Sequence, residues 1–188
     1  MNDLSDDDLM GLFQDGDADA FDVLFDRYHV PVYHFARSIL REGPGAEDVL
    51  QETFLAVAGA AERYEPRGQF RAWLFRIVRN RCLNRLAAKR ARRETFHAAG
   101  FAAAERPGPA RPPDEKVQGD EERAAVRRAL AELPDRQREA LTLRAFEQMP
   151  YREIAAVMEM PINTVKTLIH RARVRLAAAI EEMTDETM

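Results

Sequence analysis

Apolar residues recur along this chain at helical spacing, with no stretch of strict alternation. Between Asp17 and Arg41, Phe21, Leu24, Phe25, Tyr28, Val32, Phe35 and Ile39 recur at helical spacing, the period that lines one face of an α-helix. The same period predicts three more helices in the first half. One opens near Ser5 and runs to about Gln14, with Ser5 and Asp8 in capping-box spacing, an Asp standing where Glu is usual. Another runs from about Ala46 to Ala60 and turns Val49, Leu50, Phe54 and Val57 inward. The last runs from about Phe70 to Arg92, with Phe70, Trp73, Leu74, Ile77 and Val78 on one stripe. Gly43-Pro44-Gly45 and Pro66-Arg67-Gly68 interrupt the pattern, and Pro31 is a point where the long helix can kink.

The period vanishes over residues 94–119. The run ERPGPARPPDEKVQGD holds four prolines and two glycines and reads as a flexible or extended linker. Four helices are then predicted: Asp120 to about Leu133, Pro134 to about Glu147, Tyr151 to Met158, and Ile162 to about Glu182. The domains read as 1–93 and 120–188. The fold class is all-α, two small helical domains joined by a flexible linker, the C-terminal one a helix-turn-helix. Scarce Gly and abundant Ala, Leu, Arg and Glu agree with it.

The stretch Met149–Leu176 carries the clearest chemistry. With Val165 as origin at 100° per residue, Val165, Ile169, Ala172, Leu176 and Ala179 cluster on one face. Lys166, Thr167, His170, Arg171 and Arg173 lie opposite. The preceding helix offers Ile154, Ala155 and Met158 for packing, and Pro161 is expected to start the second helix. Asn163 and Thr164 sit in its first turn, where free backbone N–H groups suit a phosphate. Two readings stand: a helical hairpin with a solvated basic face, or a helix-turn-helix whose second helix enters the major groove. In the second, Arg173 and Arg175 touch phosphate, which positions the domain without reading sequence.

Net charge sharpens the picture because it is uneven. The chain totals −4, yet residues 66–93 hold ten Lys/Arg and no Asp/Glu, while residues 1–65 hold four basic and fifteen acidic residues. A solvated helix face usually mixes signs, so the acid-free block is a candidate phosphate-contacting helix. Asn80 and Asn84 add groups that read base edges. Gln69 and the aromatics at the loop mouth suit an unstacked base. The place of Trp73 on the apolar stripe favours core packing over base stacking.

Two DNA-binding helical units joined by a Pro-rich linker resemble the extracytoplasmic function (ECF) group of bacterial RNA polymerase sigma factors. Four blocks carry the resemblance: DADAFDVLFDRYHVPVYHFAR, AEDVLQETFLAV, FRAWLFRIVRNRCLNRL and LPDRQREALTLRAFEQMPYREIAAVMEMPINTVKTLIHRARVRL. It implies that the chain binds core polymerase, directs it to promoters through −10 and −35 contacts, and helps melt the DNA. On that reading 1–93 is a region 2-like domain and 120–188 a region 4-like domain. AEDVLQETF resembles the helix that docks on the β′ clamp helices, with Asp48, Gln51 and Glu52 on its polar face. Gln69, Trp73, Arg76, Asn80 and Asn84 take the −10 and melting role. Asn163, Thr164, Lys166, Thr167, His170, Arg171 and Arg173 take the −35 role. The resemblance further implies contact with the β flap, an inhibitory anti-sigma factor, and a linker threading through the polymerase. Three positions depart from the pattern: Asn163 where Gly is usual, Leu168 where Arg is usual, and Pro150 where Ser or Thr is common. The first two imply an altered −35 preference.

Other classes fit less well. His29, His34, His97 and His170 form no metal-ligating spacing, and Cys82, the single cysteine, has no CxxC partner. No catalytic motif, metal site or cofactor site is expected. A stand-alone helix-turn-helix regulator remains the alternative, but it leaves the basic block, the linker and AEDVLQETF without a purpose. The acidic start, MNDLSDDDLM, lacks a signal-peptide core and no apolar run reaches the roughly 20 residues that span a bilayer. A cytoplasmic protein is expected, with no regulatory domain after IEEMTDETM.

Overall fold

Asp and Ser residues start the first helices of the computed structural model, and every regular element among its described residues is helical. It describes residue 1, residues 3–98, residue 126 and residues 128–185. The Ser5 hydroxyl accepts from the Asp8 N–H at 3.2 Å and the Asp8 carboxylate accepts from the Ser5 N–H at 3.3 Å, completing the predicted box before α1 (Asp6–Gln14). Asp17 caps α2 (Ala18–Leu40), which continues as helix through Pro31 and ends on Arg41 in the left-handed region, φ 62°. Gly43-Pro44-Gly45 is not a break but the first turn of α3 (Gly43–Ala60). A proline is tolerated there because first-turn N–H groups have no intrahelical acceptor. A 3-10 turn (Ala61–Arg63) and a loop lead to α4 (Phe70–Ala98), which extends past Arg92 into the expected linker. The remaining expected linker, 99–119, lies outside the described residues, as does the predicted helix start at 120–125.

Residues 128–132 are helical, and α5 (Asp135–Ala145), α6 (Tyr151–Met158) and α7 (Ile162–Asp185) follow. Pro161 is not inside α7 but just before it, where its carbonyl accepts from the N–H groups of Thr164 and Val165. The core of the first half gathers Leu9, Leu24, Phe35, Val49, Val57, Phe70, Leu74 and Phe75, all at most 1% exposed. Rings meet edge to face, as at Phe35 and Phe75, 5.4 Å between centroids. The second half buries Leu143, Met149, Ile154, Val157, Val165 and Ile169.

These two sets form one continuous apolar cluster, a feature the linker-separated pattern does not predict. Helix α2 packs on α5, and α4 packs on α6. Charged groups cross the same boundary. Arg79 Nε donates to Glu139 at 2.7 Å, Arg138 Nε donates to the Ser38 carbonyl at 2.7 Å, Arg41 pairs with Asp135 at 3.1 Å, and Arg71 donates to the Glu147 carbonyl.

Candidate nucleic-acid interface

The turn between α6 and α7 is built without glycine. Helix α6 ends on Glu159 in the left-handed region, φ 53°, a conformation that costs a side-chain-bearing residue roughly 1 kcal/mol or more. That turn directs α7 so that Val165, Ile169 and Ala172 are buried against the rest of the second unit. Leu176 is half-buried beside Leu133 and Leu141. The opposite face is open: Asn163, Thr164, Lys166, Thr167, His170, Arg171, Arg173 and Arg175 are all exposed. The Thr167 hydroxyl donates back to the Asn163 backbone carbonyl at 2.9 Å. His170, Arg171 and Arg175 line an open groove of about 450 Å³ with Gln137 and Val174. The result is an exposed basic face on a helix whose other face is buried.

Leu168, at the edge of that basic face, is partly buried and packs on the core cluster. Pro150 caps α6 with no side-chain hydrogen bond, the cost of having Pro where a hydroxyl would accept one. Val157, fully buried on α6, is a packing residue that the sequence reading left out although it follows Ile154 at i+3.

Helix α4 presents a second polar face. Gln69, Trp73, Arg76, Asn80 and Asn84 recur every three or four residues and fall within an arc of about 80°. Gln69, Arg76, Asn80 and Asn84 are exposed. Trp73 is partly buried, 5.0 Å from the Tyr64 ring and 5.8 Å from Phe70, so it packs at the edge of the core as its stripe position suggests. The block without acids is not without acids in space. Arg81 pairs with Glu52 at 3.1 Å, Arg85 with Asp48 at 2.9 Å, Lys89 with Glu42 at 3.0 Å, and Arg79 with Glu139. Arg76, Arg90, Arg92 and Arg93 have no ion pair among the described residues. Local density of basic residues therefore overstated the free positive charge, and within the polar arc Arg76 has no ion pair among the described residues.

The same pairs place the acidic side of α3. Asp48 and Gln51 are exposed and Glu52 is half-exposed. Leu55 continues their face at helical spacing and is 73% exposed. Sequence reasoning missed it, although its distance from Asp48, Gln51 and Glu52 in the chain puts it on their stripe.

The loop before Gln69 is held from α1. Gln14 Nε2 donates to the carbonyls of Ala61 and Tyr64, both at 2.8 Å. Asp7 accepts from the Tyr64 hydroxyl at 2.6 Å and from the Gly68 N–H. Gly68 sits at φ +66°, where a Cβ would be strained. Burial, then the hydrogen bond to Asp7, raises the Tyr64 pKa, so the phenol stays a donor. No cluster of metal-ligating side chains and no helix long and apolar enough to cross a membrane occurs among the described residues.

Comparison with known proteins assigns both units. The family description "Sigma-70 region 2" matches residues 24–92, and "Sigma-70, region 4" matches residues 123–176. The RNA polymerase sigma-H factor of Pseudomonas aeruginosa is 32% identical over 186 residues, covering 96% of each chain. The ECF RNA polymerase sigma-E factor of Escherichia coli is 32% identical over 175 residues, 90% of this chain and 91% of that one. Among solved structures, CnrH in complex with the cytosolic domain of CnrY is similar at TM-score 0.68 and 28% identity, over 94% of this chain and 97% of that one. The sigma factor RpoE bound to the anti-sigma factor NepR, from Bartonella quintana, is similar at 0.66 and 27%, over 86% and 96%.

Proposed function

The chain belongs to the ECF-type RNA polymerase sigma factors, with sigma-70 regions 2 and 4, and on that premise we propose how its exposed faces divide the work of promoter opening. A factor of this family is a non-enzymatic initiation factor that directs polymerase to promoters. It performs no bond chemistry of its own and works through binding energy.

Asp48, Gln51, Glu52 and Leu55 form the surface that docks on the β′ clamp helices. Three polar groups supply orientation, and the exposed leucine supplies the apolar anchor that a stable contact needs. The α4 arc reads and opens the −10 element. Arg76 attracts the backbone, while Asn80 and Asn84 carry both donor and acceptor for bases. Gln69, at the mouth of the pinned loop, meets a base that has left the stack, and Trp73 supports that loop from the core edge. Unstacking costs a few kcal/mol, which new base contacts offset. Helix α7 reads the −35 element in the major groove through Lys166, Thr167, His170 and Arg171, while Asn163, Thr164 and Arg173 hold phosphate.

Two of these surfaces act together because they are tethered, so binding at one raises the effective concentration at the other. The β flap is the expected holder of the region 4 unit. An anti-sigma factor is the expected inhibitor, since a similar structure is a complex of that kind. The observation that carries the assignment is the pair of exposed polar arcs, on α4 and α7, each backed by a buried apolar face.

Footprinting with core polymerase tests it. Arg76→Ala is expected to keep −35 protection and lose permanganate reactivity at −10. Arg171→Ala is expected to lose the −35 footprint. If both variants melted promoters like the wild type, the division of labour would be wrong.

A further inference from the structure

Promoter geometry conflicts with the arrangement of the two units. Elements named −10 and −35 lie about 25 base pairs apart, roughly 85 Å of duplex. A unit of this size has a radius of gyration of only about 13 Å, and the two are in direct contact through α2–α5 and α4–α6. The described state therefore cannot occupy both elements at once. It must separate first, and the contact has to be strong enough to persist yet weak enough to yield.

We propose that the Arg79–Glu139 ion pair is a latch that holds the free factor closed on itself, without any inhibitor, until polymerase engages its surfaces. Arg79 projects from α4, away from the polar arc, and Glu139 from α5. Their side chains are 10% and 3% exposed and 2.7 Å apart. Arg138, next to Glu139, is 4% exposed and spans the boundary to the Ser38 carbonyl, with Asp135 held against both Arg138 and Arg41. Arg71 reaches the Glu147 carbonyl at the far end. The apolar contacts between α4 and α6 supply attraction. The pair supplies registry and a penalty for mispairing.

That combination makes a good trigger. A buried pair gains little net stability, because desolvation consumes most of its Coulomb attraction. Loss of one partner is another matter, since it strands the other charge in the closed state but not in the open one. The open state solvates both. The closed state thus depends on both residues. A factor that spends most of its time closed binds polymerase more weakly by the fraction that is open. The proposal rests on the docking and base-reading assignments for its consequence, not for its existence.

Small-angle scattering of the full free chain, with helix content checked by circular dichroism, tests the latch without DNA or polymerase. The wild type is expected to stay below about 20 Å in radius of gyration, near the ~16 Å of a compact 188-residue chain. Arg79→Ala and Glu139→Ala are expected to shift the closed-to-open ratio at least tenfold and expand the chain above roughly 25 Å. The exchanged double variant, Arg79→Glu with Glu139→Arg, is expected to recover compaction. Arg71→Ala, at the rim, gives partial opening and serves where a core variant loses helicity. Core polymerase should bind the opened variants severalfold more tightly than the wild type. A wild type already extended, or helical single variants as compact as the wild type, would overturn the latch.

Discussion

Exposed side chains on α7 differ in what their removal should cost. Arg173 lies beyond the first two turns and is exposed, which suits phosphate rather than a base edge. Arg173→Ala should therefore weaken binding to all promoter sequences alike and lower the slope of log affinity against log salt by about 1. Salt titration on matched and scrambled −35 duplexes measures it. Lys166 and His170 should behave otherwise, changing which sequences are preferred. Backbone residues are equally specific. Glu159 holds φ 53°, so Glu159→Gly should be neutral to stabilising by up to ~1 kcal/mol in thermal unfolding, and Glu159→Val destabilising. Pro150 caps α6 without a side-chain acceptor. Pro150→Ser should add at most about 1 kcal/mol, because a new cap is partly offset by the freed unfolded chain. Burial, then the nearby Glu139 charge, pushes the Cys82 thiol up to about 12, so it should alkylate very slowly at neutral pH.

Elements show what each residue is for. Helix α1 looks expendable in sequence, nine residues rich in acid, yet Asp7 and Gln14 fix the loop that carries Gln69. Asp7→Ala should impair melting more than −35 binding, which a comparison of permanganate reactivity with −35 footprints resolves. The start of α5 carries a pH response. Burial opposes ionisation of Asp135, but the hydrogen bond and charge of Arg138, with Arg41, hold its carboxyl below the ordinary 3.8. A lowered folded-state value means stability that is present above the unfolded pKa and lost as pH falls through the folded one. Asp135→Asn should therefore flatten the acid side of the stability curve below about pH 4. Because Asp135 is largely exposed, the effect should be small.

Local patterns foretold local structure. The capping box at Ser5, both helices of the α6–α7 pair and the inward face of α7 were legible because each is set by residues within a few positions. The polar arc of α4 was legible for the same reason. Pairings across distance were not. Nothing in the basic block announces that Arg79 meets Glu139, 60 positions on, or that Asp7 reaches Gly68, 61 positions on. The first-turn role of Gly43-Pro44-Gly45 was hidden because the residues that break helices also begin them. Leu55 escaped because an exposed leucine is ordinary in isolation and gains meaning only beside Asp48, Gln51 and Glu52.

At the scale of the molecule, two exposed polar faces, proposed to read DNA, belong to a pair of units that share one core cluster. Interior substitutions should act on both. Phe35→Ala removes a fully buried ring and should cost about 3–5 kcal/mol. Outer-face substitutions should leave folding intact and alter transcription alone. Charge is partly used up inside the molecule: five of the nine basic residues of α4 pair with acids on other elements, while Arg76, Arg90, Arg92 and Arg93 have no ion pair among the described residues.

Run-off transcription with purified core polymerase on a promoter library asks whether the chain joins polymerase and selects promoters. The wild type should convert inactive core into an enzyme that starts at a shared pair of −35 and −10 motifs. Arg76→Ala should lose open complexes and Arg171→Ala should lose −35 dependence. Transcripts that start at random, or a chain that binds duplex DNA but never joins the polymerase, would contradict the account.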